Sequence, residues 1–155
     1  MERSAQNDVA LQLHGYLQAV SALKDDGSAL RCFYLAPVAP CAAFDALCQA
    51  LDLAPDGLSL QLSASVVCHG AACTPRQWLL ERLRPMTQAD QAPLDARLFD
   101  GFCQQLHELL NAAPVWYQLV SSGQRSLAGQ LGAIWSVYVF GTHAHSYVLQ
   151  CSWDS

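Results

Sequence analysis

The sequence predicts one α+β domain: a mostly antiparallel sheet, formed by a C-terminal three-strand meander plus one or two earlier strands, packed against about four helices. Three observations point there. Apolar residues recur at helical spacing through much of the chain before position 115, whereas the last third is rich in Val, Ile, Tyr and Trp and is cut by Gly-containing loops. Three strands in succession at the end favour antiparallel neighbours over a doubly wound parallel sheet. Hydrophobic residues make up 52% of the 155 and charged residues 14%, against a typical charged fraction of about 25%, so the chain can bury a core and lacks the composition of a disordered tail. No linker, internal repeat or low-complexity stretch divides residues 1–155, which read as a single domain.

The elements follow in order. Val9, Leu13, Tyr16, Leu17, Val20 and Leu23 form the stripe of an amphipathic helix, with Ser4 or Asn7 as caps and Asp25-Asp26-Gly27 as the stop. Leu30 to Leu35 reads as a short strand ending at Pro37. Pro40 opens a second helix with Phe44, Leu47, Cys48 and Leu51 on one face, closed by Pro55 and Gly57. From Leu58 to Val66 apolar residues alternate with Ser and Gln, the pattern of a strand with one wet face. Thr74-Pro75-Arg76-Gln77 starts a third helix, with Trp78, Leu79 and Leu83 facing inward until Pro85. A fourth helix is expected from about Pro93 to Ala112, stopped by Pro114. Strands are expected at Val115 to Val120, Ile134 to Phe140 and Ser146 to Trp153, the last two joined by a tight hairpin at Gly141-Thr-His-Ala-His. The SSGQRSLAGQLG connection reads as a long, polar, mobile loop, and the helices are expected on one face of the sheet.

Charge and cysteine usage narrow the function classes. Eight Lys+Arg against 13 Asp+Glu give a formal charge of −5, the wrong sign for neutralising nucleic-acid phosphates or an anionic membrane and the right one for a basic protein partner. No apolar stretch approaches the roughly 20 residues of a membrane span. The seven cysteines are odd in number and scattered through core-like segments, and the N-terminus has no basic, apolar export pattern. Reduced thiols and a cytoplasmic location are the expectation.

Candidate chemistry is sparse. His143 and His145 have the two-residue period of ligands on one side of a strand, and Cys68, His69 or Cys73 of the CHGAAC run could complete a zinc site; exposed turn histidines are the simpler reading. Cys68 beside His69 has no dyad geometry on a straight strand, because neighbours point to opposite faces. No phosphate loop, serine elbow or HExxH is present, so no cofactor is expected. The aromatic residues of the terminal strands are the stronger lead. Strands apolar on both sides are either sandwiched between layers or expose an adhesive face, and Trp and Tyr dominate interface hot spots. On the second reading, Trp116, Trp135 and Trp153 would anchor a partner and Gln124, Arg125, His143 and His145 would ring it.

In size, acidity and lack of enzymatic motifs the chain resembles the immunity proteins encoded beside bacterial toxins. That resemblance implies a non-catalytic cytosolic domain that sequesters one cognate protein, basic or toxic; a homodimer is compatible with it. Two alternatives stay open: a class I-like secretion chaperone, whose family pattern ends in an amphipathic helix where this chain has a strand, and a small thiol- or zinc-dependent enzyme.

Overall fold

The computed structural model describes residues 2–24, 28–62, 101, 104–110, 115–122, 127–132 and 134–153. The predicted class holds: a five-stranded antiparallel sheet with four helices among these residues. In chain order they are α1 (Glu2–Lys24), β1 (Ser28–Ala36), a 3-10 turn (Pro40–Ala42), α2 (Phe44–Ala50), β2 (Leu58–Leu62), α3 (104–110), β3 (Val115–Ser121), α4 (Ala128–Leu131), β4 (Ile134–Gly141) and β5 (Ser146–Trp153). The sheet order is β1-β5-β4-β3-β2. The meander β3-β4-β5 forms its centre, with β2 added antiparallel at one edge and β1 at the other. The predicted helix after Thr74, the start of the Pro93–Ala112 helix and the end of the Leu58–Val66 strand lie outside the described residues.

Helices cover both faces of the sheet, not one. Along β4 and β5 successive side chains enter different cores: Tyr138, Phe140, Tyr147, Leu149 and Cys151 join Ala10, Leu13 and Leu17 of α1 with Leu106 and Leu110 of α3. Val137, Val139 and Val148 join Ala43 and Leu47 around α2, with Leu127 and Leu131 around α4. A central strand covered twice needs apolar residues at every position, and Val137 to Phe140 is such a run.

The first face is organised in rows that cross the strands. Trp116, Phe140, Tyr147 and Tyr34 lie in one register, and their rings meet in sequence: 4.5 Å between Trp116 and Phe140, 5.6 Å between Phe140 and Tyr147, 5.5 Å between Tyr147 and Tyr34. The next row is Tyr138, Leu149 and Cys32, and the one after it Ser136, Cys151 and Leu30. Side-chain bulk thus falls from the β4–β5 hairpin toward the other end. Over these rows α1 runs opposite to β1, with Gln6 accepting from the Tyr147 hydroxyl, His14 at Cys32 and Gln18 at Leu30.

Three local departures from the sequence reading have plain causes. Helix α1 starts at Glu2, so Ser4 and Asn7 lie inside it and do not cap it. Pro40 opens a 3-10 turn, and α2 starts only at Phe44. The SSGQRSLAGQLG connection contains α4, because Leu127 and Leu131, one helical turn apart, are both 2% exposed in the second core. At the end of α2, Asp52 has φ 53°, with Leu53 N–H donating to Cys48 O at 2.8 Å and Asp52 N–H to Gln49 O at 3.3 Å. This is a Schellman cap with aspartate in the left-handed position usually held by glycine, and buried Leu53 is its hydrophobic anchor.

Candidate partner-binding surface

Those of the residues singled out from sequence that the structure describes do not form one patch. Trp116 is 2% exposed and stacked on Phe140, inside the first core, so as a partner anchor it would have to leave the core. Its indole Nε1–H has no hydrogen-bond partner among the described residues. Trp135 is half-buried against the second core and stands near the start of β4, where Ile134 pairs with Trp153. Gly141, at the other end of β4, lies about 20 Å away at the usual rise per residue. Gln124 and Arg125 lie outside the described residues, as do Cys68 and Cys73.

His143 and His145 have different environments. The hairpin closes with Thr142 N–H donating to His145 O at 3.0 Å, while Thr142 Oγ1 accepts from the N–H groups of Ala144 and His145. Gly141 makes this turn feasible: a Cβ there would sit 2.0 Å from His145 O. His145 is half-buried, its Nδ1 3.1 Å from the Tyr34 hydroxyl, whereas His143 is exposed at the tip. Among the described residues no group of three or more His, Cys, Asp and Glu side chains could hold a metal.

The described cysteines divide in the same way. Cys32, Cys48 and Cys151 are buried and Cys41 is exposed, and none of the four is in a disulfide. Burial pushes the Cys32 thiol up to about 12, so it is not poised as a thiolate nucleophile near neutral pH. The nitrogen beside it, His14 Nδ1, accepts from the Cys32 backbone N–H at 3.1 Å.

The hairpin end of the sheet carries the feature that the sequence reading missed. Leu62 is 61% exposed and Val115 44% exposed. Leu62 pairs with half-buried Tyr117, and Val115 with Gly141 at the start of the hairpin. By strand alternation Leu62, Val115 and Tyr117 belong to one face, at the end nearest the hairpin tip with His143 and Ala144. The only signal in the sequence was two-sided apolarity of Val115 to Val120, and it did not say which end would lie bare. Leu62 was expected inward on the alternation of β2; its alternation is as read, but it stands exposed.

No protein-family model, curated protein or solved structure matches this chain. No helix among the described residues is long and apolar enough to cross a membrane.

Proposed function

We propose that the chain is a non-catalytic cytoplasmic domain that binds and sequesters one cognate protein, in the manner of a toxin-neutralising immunity protein. The observation that carries this reading is the pair of exposed aliphatic side chains, Leu62 and Val115, flanking half-buried Tyr117 at the hairpin end of the sheet. Apolar side chains grouped on one rim and bordered by polar loops are the usual mark of a protein contact. The net charge of −5 adds attraction for a basic partner and speeds encounter more than it tightens the complex. Trp135 and His143 stand as peripheral contacts only if the partner extends along the sheet or over the hairpin.

The test is capture of the partner from the native cell extract with the tagged chain, followed by calorimetric titration of the purified partner against wild type and Leu62→Asp/Val115→Asp. The expected result is stoichiometric binding by wild type and at least a tenfold loss, about 1.4 kcal/mol, in a variant whose melting temperature is unchanged. Equal affinity of the two proteins removes this surface from the reading. A captured protein that is a substrate turned over by the chain overturns the reading itself.

A further inference from the structure

The two edges of the sheet, β1 and β2, are finished differently. At β1, side chains of α1 take up main-chain groups of the strand: Gln18 Nε2 donates to Leu30 O at 3.0 Å, and His14 Nδ1 accepts from Cys32 N–H at 3.1 Å. The register of β1 also shifts between Tyr34 and Ala36, and Arg31 stands exposed on it. Covering side chains, a bulge and a charge are the devices that keep an edge from pairing. Strand β2, Leu58-Ser-Leu-Gln-Leu62, has no charge and no proline, and it pairs with β3 without a shift from Leu58 to Leu62.

The ladder fixes which groups of β2 face outward. Ser122 N–H donates to Gly57 O at 2.7 Å, which makes Gly57 and Ser122 a hydrogen-bonded pair; by the alternation of an antiparallel ladder the next such pairs are Ser59–Val120 and Gln61–Gln118. The N–H and C=O groups of Leu58, Leu60 and Leu62 therefore point away from β3. Leu58 N–H donates to Pro55 O at 3.1 Å, and among the described residues no strand lies beyond Leu60 and Leu62. The side chains beside these groups are open as well: Leu62 is 61% exposed and Leu60 half-buried on one face, with Ser59 and Gln61 exposed on the other.

We propose that the cognate protein is held as a sixth strand: an extended segment that pairs with the outer side of β2, sets apolar side chains beside Leu60 and Leu62, and carries Lys or Arg where it passes Asp56. This names the partner's contact element and rests on the partner-binding reading. Main-chain pairing supplies the donor and acceptor that Leu60 and Leu62 each offer, and alternate side chains of the segment fall on the face that Leu62 and Tyr117 leave open. Charge sets the segment's polarity. Gly57–Leu62 and Val115–Ser122 contain no Asp, Glu, Lys or Arg, so a charged residue seated at the Leu62 end would lose hydration with no counter-charge. At the other end of the strand Asp56 is an exposed carboxylate, in keeping with the chain's net charge of −5.

Residue-resolved amide exchange tests the pairing, on the dilute chain alone and saturated with the protein it captures from the native extract. Alone, the Leu60 and Leu62 amides should exchange fast and those of Ser59 and Gln61 slowly. Saturation should slow Leu60 and Leu62 by about tenfold or more, the worth of a hydrogen bond, and leave Ser59 and Gln61 little changed. Leu62→Pro removes one outward N–H and no ladder bond, so it should keep the fold and lower affinity at least about tenfold by calorimetry. Asp56→Asn should weaken binding about twofold to fivefold at low salt and not at all in high salt. Tight binding with no gain of protection at Leu60 and Leu62 overturns the added strand while the partner-binding reading stands; capture of no protein overturns both. Full affinity in Leu62→Pro overturns it too, and should that variant not fold, the exchange pattern of wild type decides alone. An Asp56→Asn chain that binds as wild type does at low salt overturns the basic end of the segment. Protection at Leu60 and Leu62 that rises with concentration of the chain by itself makes a second copy the occupant and overturns the proposal.

Discussion

The two faces of the sheet bury comparable strands by different means. On one, a row of rings from Trp116 through Phe140 and Tyr147 to Tyr34 lies in the core formed with the 23-residue α1 and with α3. On the other, Val137, Val139 and Val148 are covered by short pieces: a 3-10 turn, the seven residues of α2 and the four of α4. A long helix fixes the depth of its whole layer at once, so large planar side chains can stack in register beneath it. Short elements adjust one by one, and small β-branched residues leave them room to do so. Tyr138, Phe140 and Tyr147 of β4 and β5 are therefore accounted for by packing against α1 and α3.

The sharpest way to break this comparison is to remove one side chain from each face at neighbouring positions of β4. Phe140 and Val139 are both fully buried. Phe140→Ala interrupts the ring row in its middle, between two stacked partners, and should cost about 3–5 kcal/mol in urea unfolding. Val139→Ala should cost about 2 kcal/mol, because fewer methylene groups leave the core and α2 and α4 can close in. Equal losses would mean that the short elements are as rigid as the long helix.

A second contrast is chemical. The aromatic face holds the ionisable groups Cys32 and Tyr147, and burial raises the first from 9.0 to about 12 and the second from 10.0 to about 12; neighbouring Tyr34 and Cys32 add to the shift at Tyr147. Both groups are neutral when protonated, so the folded state holds protons that the unfolded chain releases. The stability they contribute is complete below about pH 9 and is lost as pH rises toward 12. Between about pH 8 and pH 10.5 the urea midpoint should fall by the equivalent of on the order of 1–2 kcal/mol, and Cys32→Ala should flatten that slope. The same substitution at exposed Cys41 should leave it alone.

How much of this was legible in the sequence depends on whether a feature is written in one segment or between segments. The helical stripe of α1, the alternation of β2 and the three terminal strands each carry their own period, and all lie close to where that period puts them. Which face a strand residue meets is decided by other elements: Trp116 looked like an anchor until Phe140 was placed opposite it. Leu127 and Leu131 carried a helical spacing, but one turn amid Ser, Gly and Gln is too short to stand out. The Tyr34–His145 hydrogen bond joins positions 111 apart, and no local pattern could have paired them.

The smallest effect concerns a cap on the aliphatic face. Helix α2 ends with Asp52 at φ 53°, where an L-residue with a Cβ is strained and glycine is at ease. Asp52→Gly relieves that strain and leaves both closing hydrogen bonds and the Leu53 anchor in place. Against this gain stands the extra freedom glycine gives the unfolded chain, which offsets part of it. A net rise of about 0.5 kcal/mol is expected, read as a small increase in the thermal midpoint. Because the cap helps position α2 over Val137, Val139 and Val148, the same substitution in a Val139→Ala background measures whether the short elements act together. If they adjust independently, the two changes add; a gain that vanishes when Val139 is truncated would show that α2 and the strand beneath it are one cooperative layer.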